Sequence, residues 1–223
     1  MLRNHPYFIY ILLKLKYKIL HYPIRSFMHK YKQYIDTKVS LSLEDWQKLS
    51  QLYTLQIYQK GDTIITANNV CNYSYYLSQG IARSYFINEN YTEITCGVHI
   101  HDKDNTNDIV LGDIKSILTQ ETSNIYCESL STCHVYIAKL ENIHQLFYDN
   151  IEWTNFVKVS TQERLVKTLQ YQQIFAGLNA TQRYIKLQEE YPHYEKTLTS
   201  YQLASVLGIT PQSLSRIRAQ LQR

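Results

Sequence analysis

The residues of this 223-residue chain whose types and spacing suggest chemistry lie near its end, in TSYQLASVLGITPQSLSRIRAQL from Thr199 to Leu221. Gln212, Ser213, Arg216 and Gln220 recur at helical spacing, and their chemistry is recognition: arginine pairs bidentately with guanine and glutamine with adenine. Thr199 and Thr210 bring hydroxyls to two helix N-termini, where free backbone amides can also hold phosphate. Catalytic chemistry has no comparable cluster. No nucleophile stands beside a base and no two carboxylates are placed for acid–base work, so the chain reads as a non-enzyme. In HIHDKDNTND, the residues His99, His101, Asp102, Asp104 and Asp108 are metal ligands by type. The segment lacks the glycine and flanking helices of a calcium loop and reads as a solvated hairpin loop with no metal.

Two short helices must position the recognition residues. Thr199 and Gln202 form a capping box, Leu203, Val206 and Leu207 make a buried stripe, and Ala204 leaves room for a neighbouring helix. Gly208 supplies a left-handed end to the first helix. Thr210 caps the second, and Pro211 occupies its first position, where the missing N–H costs nothing. Leu214, Ile217 and Leu221 are expected to face inward, leaving the polar stripe outward. A plain helical hairpin with a solvated polar face is the alternative; caps, turn glycine and stripes coincide at the spacing of a helix-turn-helix.

The charge is unevenly spread. Residues 1–33 carry seven bases and no acid, residues 34–177 ten bases and sixteen acids, and residues 178–223 six bases and three acids, for a net +4. An acidic middle with a mildly basic tail fits a regulatory domain joined to a nucleic-acid reader. Four cysteines, Cys71, Cys96, Cys127 and Cys133, include no C-x-x-C pair and read as reduced structural thiols of a cytoplasmic protein.

Residues 1–39 read as a basic helical extension. FIYILL is too short for a membrane span and wrongly flanked for a secretory signal. An amphipathic helix touching membrane or DNA, a packing helix, or an upstream start with Met28 as the true first residue remain open for residues 1–27. Residues 40–149 begin with a capped helix near Ser40 and continue as short strands rich in tyrosine and β-branched residues. Lys60-Gly61-Asp62, Asn68-Asn69, Gln79-Gly80 and Asn88-Glu89-Asn90 divide them. This pattern predicts a β-sandwich, barrel or jelly roll, with the 21 tyrosines as sheet packing. Residues 150–177 form a long helix, apolar on more than one side, that must bury one side on its own domain and offers the other to a partner subunit. Residues 178–223 hold a further helix, Asn179 to Tyr191, stopped by Pro192, and then the helix-turn-helix.

YQKGDTII (58–65), YYLSQGIARSYF (75–86), LGDIKSIL (111–118) and the tail LASVLGITPQSLSRIRAQL together resemble the Crp/Fnr superfamily of transcription regulators. The resemblance implies an α+β chain: a β-roll or jelly roll of the cyclic-nucleotide-binding type, a long dimerisation helix and a helix-turn-helix domain of winged-helix type, with any wing short or missing. It also implies a homodimer on a palindromic DNA site. RNA polymerase and an unidentified small-molecule effector are the further partners it implies; no cofactor is expected. The family's recognition positions fall on Thr210, Pro211, Gln212 and Arg216. Pro211 and Gln212 replace what are often a basic and an acidic contact, which implies a different preferred DNA sequence. In the effector pocket Gly112-Asp113 stands for the family's Gly-Glu pair, while Ser123-Asn124 occupies the place of the Arg-Ser or Arg-Thr that holds a cyclic phosphate. Without that arginine a buried phosphate lacks its charge-assisted partner, so cyclic AMP binding of the family type is not expected.

Overall fold

A computed structural model describes residues 28–101 and 106–222 of the chain. The readings of residues 1–27, and of Asp102 and Asp104 as ligands, fall outside the described residues. Helices α1 (His29–Asp36) and α2 (Leu43–Leu52) lead into strands β1 (Thr54–Tyr58), β2 (Thr63–Ile65), β3 (Tyr73–Ile87), β4 (Glu93–His101), β5 (Thr106–Asn107) and β6 (Val110–Leu111). Helix α3 (Ile114–Thr119), strands β7 (Tyr126–Ser129) and β8 (Cys133–Lys139) and helix α4 (Leu140–Leu146) complete the β-rich half. The rest is helical: α5 (Ile151–Gly177), α6 (Ala180–Glu190), α7 (Tyr194–Thr197), α8 (Ser200–Leu207) and α9 (Pro211–Leu221). The architecture is α+β: a curled antiparallel β-roll, a long connecting helix and a helix-turn-helix domain.

One strand organises the roll. The first half of β3 pairs antiparallel with β8 and β6, and its second half with β4 and β7. The turn read at Gln79-Gly80 is therefore a corner inside one 15-residue strand. Gly80 has φ +106°, and a Cβ there would lie 2.5 Å from the Thr132 carbonyl oxygen, so only glycine lets the strand pass from one side of the roll to the other. Leu77, Ala82, Leu111, Cys127, Cys133 and Val135 fill the interior between the two halves.

A second core joins the flanking helices to the roll. Tyr31 and Ile35 of α1 pack with Trp46, Leu49, Tyr53, Tyr76, Phe147, Trp153 and Phe156. Tyr31 stacks on Tyr76 with ring centroids 4.4 Å apart. Residues 28–39, grouped with the extension on composition, thus help close the roll, because an aromatic and an isoleucine four residues apart give α1 one apolar face. Ser42 rather than Ser40 caps α2, accepting from the Asp45 N–H at 3.1 Å.

Helix α5 starts at the Asn150 cap, whose side chain accepts from the Trp153 N–H at 2.8 Å. Its Trp153 and Phe156 are buried, whereas Val157, Leu165, Val166 and Leu169 are exposed. One side is thus spent on the roll and another is left apolar in the single chain.

Candidate nucleic-acid interface

The two helices expected to carry the recognition residues are built from local signals, each of which the structure realises. Thr199 Oγ1 accepts from the Gln202 N–H at 3.2 Å, and Gln202 Oε1 accepts from the Thr199 N–H at 3.0 Å, closing a capping box on α8. Gly208 ends α8 in the left-handed region, φ +66°. Thr210 Oγ1 accepts from the Ser213 N–H at 3.2 Å, and Pro211 opens α9. Leu203, Ala204, Val206, Leu207, Leu214 and Ile217 lock the two helices over Tyr184, Leu187, Tyr194 and Leu198.

That packing presents Gln212, Arg216 and Gln220 to solvent on one side of α9, with Thr199 and Thr210 exposed at the helix starts. Ser213 and Pro211 are half-buried, and the Ser213 hydroxyl shares a 3.0 Å hydrogen bond with Thr210. Leu221 was expected to face inward and does not: it is 46% exposed. It lies one turn beyond Ile217, where α9 projects past the core that buries Leu214 and Ile217.

The two arginines of α9 have different jobs. Arg216 makes no ion pair among the described residues. Arg218 Nη2 pairs with Glu195 at 2.6 Å, Nη1 donates to Ser200 Oγ at 3.1 Å and Nε donates to Tyr184 Oη at 3.4 Å. Glu195 also accepts from the Tyr184 hydroxyl. Arg218 therefore pins α9 to α6, α7 and α8 and keeps the neighbouring polar face in register. Sequence reasoning passed over it; the signal was its place four residues after Leu214, on the flank of the buried stripe.

In the roll, two of the expected effector residues, Asp113 and Ser123, are engaged with backbone. Asp113 caps α3, accepting from the Lys115 N–H at 2.9 Å, directly after Gly112 at φ +127°. Ser123 is buried and its hydroxyl accepts from the Ile125 N–H at 3.0 Å, while its own N–H and C=O bond to Asn69 and Asn68. Asn124 points outward. Two cavities lie instead where α5 meets the roll. One of about 450 Å³ lies between β4, α5, α6 and α8, with Phe86, Tyr171, Phe175 and Tyr191 among its walls together with Arg164 and Lys167. The other, about 330 Å³, lies between α3, α4 and α5. Gly112, Asp113, Ser123 and Asn124 line neither.

The roll does contain a buried arginine that sequence reasoning missed. Arg83 of β3 is 2% exposed and lies between Glu93 at 2.5 Å and Glu128 at 2.7 Å. Two carboxylates already neutralise it, so it is committed to the protein rather than free for a phosphate.

The segment read as a solvated loop is corrected in part. His99 and His101 belong to β4 and are buried. The ring nitrogens of His99 bond to Ser84 Oγ at 2.8 Å and to the Asp108 carbonyl at 2.7 Å; His101 bonds to the Leu77 carbonyl at 2.7 Å. Burial pushes the His99 pKa below its ordinary value, with the Asp108 carboxylate opposing only in part. Among the described residues no three His, Cys, Asp or Glu side chains gather as a metal site. All four cysteines are free thiols, and burial pushes Cys127 up to about 12. Among the described residues no helix is long and apolar enough to cross a membrane.

No protein-family profile matches the sequence, and no curated protein matches it. Solved structures do match in fold. The c-di-GMP-responsive global regulator CLP of Xanthomonas campestris superposes with a TM-score of 0.65 at 14% identity, covering 81% of this chain and 92% of that one. FixK2 from Bradyrhizobium japonicum gives 0.63 at 16% identity, covering 76% and 84%. A CooA mutant from Carboxydothermus hydrogenoformans gives 0.55 at 16% identity, covering 83% and 86%. The chain has the fold of Crp/Fnr-type regulators.

Proposed function

We propose that this chain, built on the fold of the Crp/Fnr regulators, is a cytoplasmic, non-enzymatic, homodimeric regulator of transcription that reads a palindromic DNA site. The observation that carries the reading is the fixed and solvent-facing stripe of Gln212 and Arg216 on a helix capped by Thr210, with Ser213 beside it. Gln212, Ser213 and Arg216 contact base edges in the major groove, Pro211 sets the first turn against the DNA, and Thr199 and Thr210 position phosphates. The exposed Val157, Leu165, Val166 and Leu169 of α5 supply an apolar face for a second copy, which doubles the basic tail and pairs two reading helices. RNA polymerase is the downstream partner of such a regulator.

Selection from randomised duplex DNA tests this reading. A palindrome with its half-sites about one helical turn apart is the expected product; no enrichment of any sequence would contradict it. Cyclic AMP is not the effector in this reading, because Asp113 caps a helix, Ser123 is held by backbone and Asn124 carries no charge. Calorimetry with cyclic AMP and cyclic GMP should show no binding in the physiological range, and submicromolar affinity would overturn it.

A second reading, a small-molecule sensor without sequence-specific DNA contacts, is favoured by the cavity between β4, α5, α6 and α8. The two readings separate on DNA: a sensor alone gives neither a steep salt dependence nor a preference for one sequence.

A further inference from the structure

Ser205 lies in the middle of α8 yet bonds across to the roll. Its hydroxyl accepts from the Thr95 N–H at 2.8 Å and donates to the Glu93 carbonyl at 2.7 Å, with Thr95 Oγ1 at 3.1 Å. The β3–β4 ladder makes this possible. Ser84 pairs with Gly97 and Tyr85 with Thr95, so Cys96 is an extra residue that bulges β4 beside the docked helix. Bulges of this kind disturb the ladder locally and re-aim the groups next to them.

Beneath the contact, Arg83 clamps Glu93 and Glu128 and donates to Thr95 Oγ1 at 3.4 Å. Glu128 in turn accepts from Gln202 Nε2 of α8 at 3.4 Å. Val98 and Ile100 of β4 belong to the same apolar core as Leu203, Leu207, Leu214 and Ile217. On its other side α8 is tied to the connecting helix, where the Tyr171 hydroxyl donates to the Val206 carbonyl at 3.2 Å. A serine hydroxyl that satisfies one donor and one acceptor of another domain's backbone has a directional geometry that apolar packing lacks.

We infer that Ser205 is a positioning residue: it fixes the angle at which the helix-turn-helix domain sits on the β-roll, and Arg83 holds the strand segment it grips. For the DNA reader proposed above, on which this part of the inference rests, that angle sets the separation of the two reading helices in a dimer. Loss of the hydroxyl frees the domain to sample other angles while leaving α9 intact. Binding to a single half-site then stays the same, and the gain from engaging two half-sites together falls, because that gain depends on geometry.

The test uses the full chain and Ser205→Ala. Hydrogen exchange at the Thr95 amide should accelerate about tenfold or more once its acceptor is gone, while the Val98 and Ile100 amides of the same strand stay protected. Affinity for the selected palindrome should fall about tenfold, and affinity for a duplex with one half-site should stay within about twofold of the unsubstituted chain. Unchanged Thr95 exchange overturns the inference, as does equal loss on the palindrome and the single half-site, which would mean damage to α8 itself. Should neither duplex bind the unsubstituted chain, the DNA reading fails and the Thr95 exchange rate still decides whether Ser205 holds the two domains together.

Discussion

The helix-turn-helix domain and the β-roll use polar side chains in different ways. In the former, Thr199, Gln202 and Thr210 satisfy backbone groups within three residues of themselves, so Gln212 and Arg216 are left for an external partner. In the roll, polar groups are consumed over long separations: Arg83 by Glu128, Ser84 by His99, Ser78 by the His134 carbonyl. The difference teaches where an outside molecule can be received. A polar face that owes nothing to the fold can take DNA; a polar residue already paired by the fold must first be released.

Replacing Arg83 by methionine should break the roll hardest. Two partly exposed carboxylates, Glu93 and Glu128, would lose the buried cation between them, at a cost between about 1 kcal/mol, as for an exposed pair, and about 3 kcal/mol, as for a buried one. Denaturant unfolding reads the loss. A change below about 1 kcal/mol would show that water enters and solvates the acids.

On the other side of the comparison, Arg216→Ala should leave unfolding unchanged and weaken binding to the selected site by about 1 to 3 kcal/mol, relaxing preference at one base pair. Arg218→Ala should do the reverse in kind, lowering stability by less than about 1 kcal/mol because the Glu195 pair is partly exposed. Unfolding curves and anisotropy titrations on the same two variants separate these roles.

Thr210→Ala removes the cap of α9 and should lower stability by about 1 kcal/mol, measured by thermal unfolding. The smallest effect expected concerns pH. The pKa of His99 is lower in the folded chain than its ordinary 6.5, so the unfolded chain binds the proton more readily. Its contribution is fully present above about 6.5 and is lost as pH falls through the folded value. His99→Gln should flatten the stability profile below that pH, whereas an equally steep profile in the variant would place the titration elsewhere.

The same contrast explains what was legible in the sequence. Caps, the turn glycine and Pro211 act within a few residues, so α8, the turn and α9 stood in the sequence almost to the residue. The long helix was also legible, because its excess of apolar residues needs two burial partners. Leu221 misled because periodicity says which side a residue is on, not where the core ends. In the roll, Gln79-Gly80 looked like a turn and is a strand corner, because whether glycine turns a chain or bends it depends on Thr132, distant in sequence. Nothing local marked Arg83 as buried or His99 and His101 as interior. Their partners Glu128, Asp108 and Leu77 come from other elements or the loops between them. The motif positions Gly112-Asp113 and Ser123-Asn124 were expectations from the resemblance, and the bonds of Asp113 and Ser123 to backbone were visible only in three dimensions.

The central claim is that the free stripe on α9 reads base sequence. Anisotropy titration of the selected palindrome and a scrambled duplex, each at two salt concentrations, tests it most directly. The account predicts that the palindrome binds at least about 10³-fold more tightly than the scrambled duplex and that both affinities fall steeply with salt. Equal affinity for the two duplexes would contradict it.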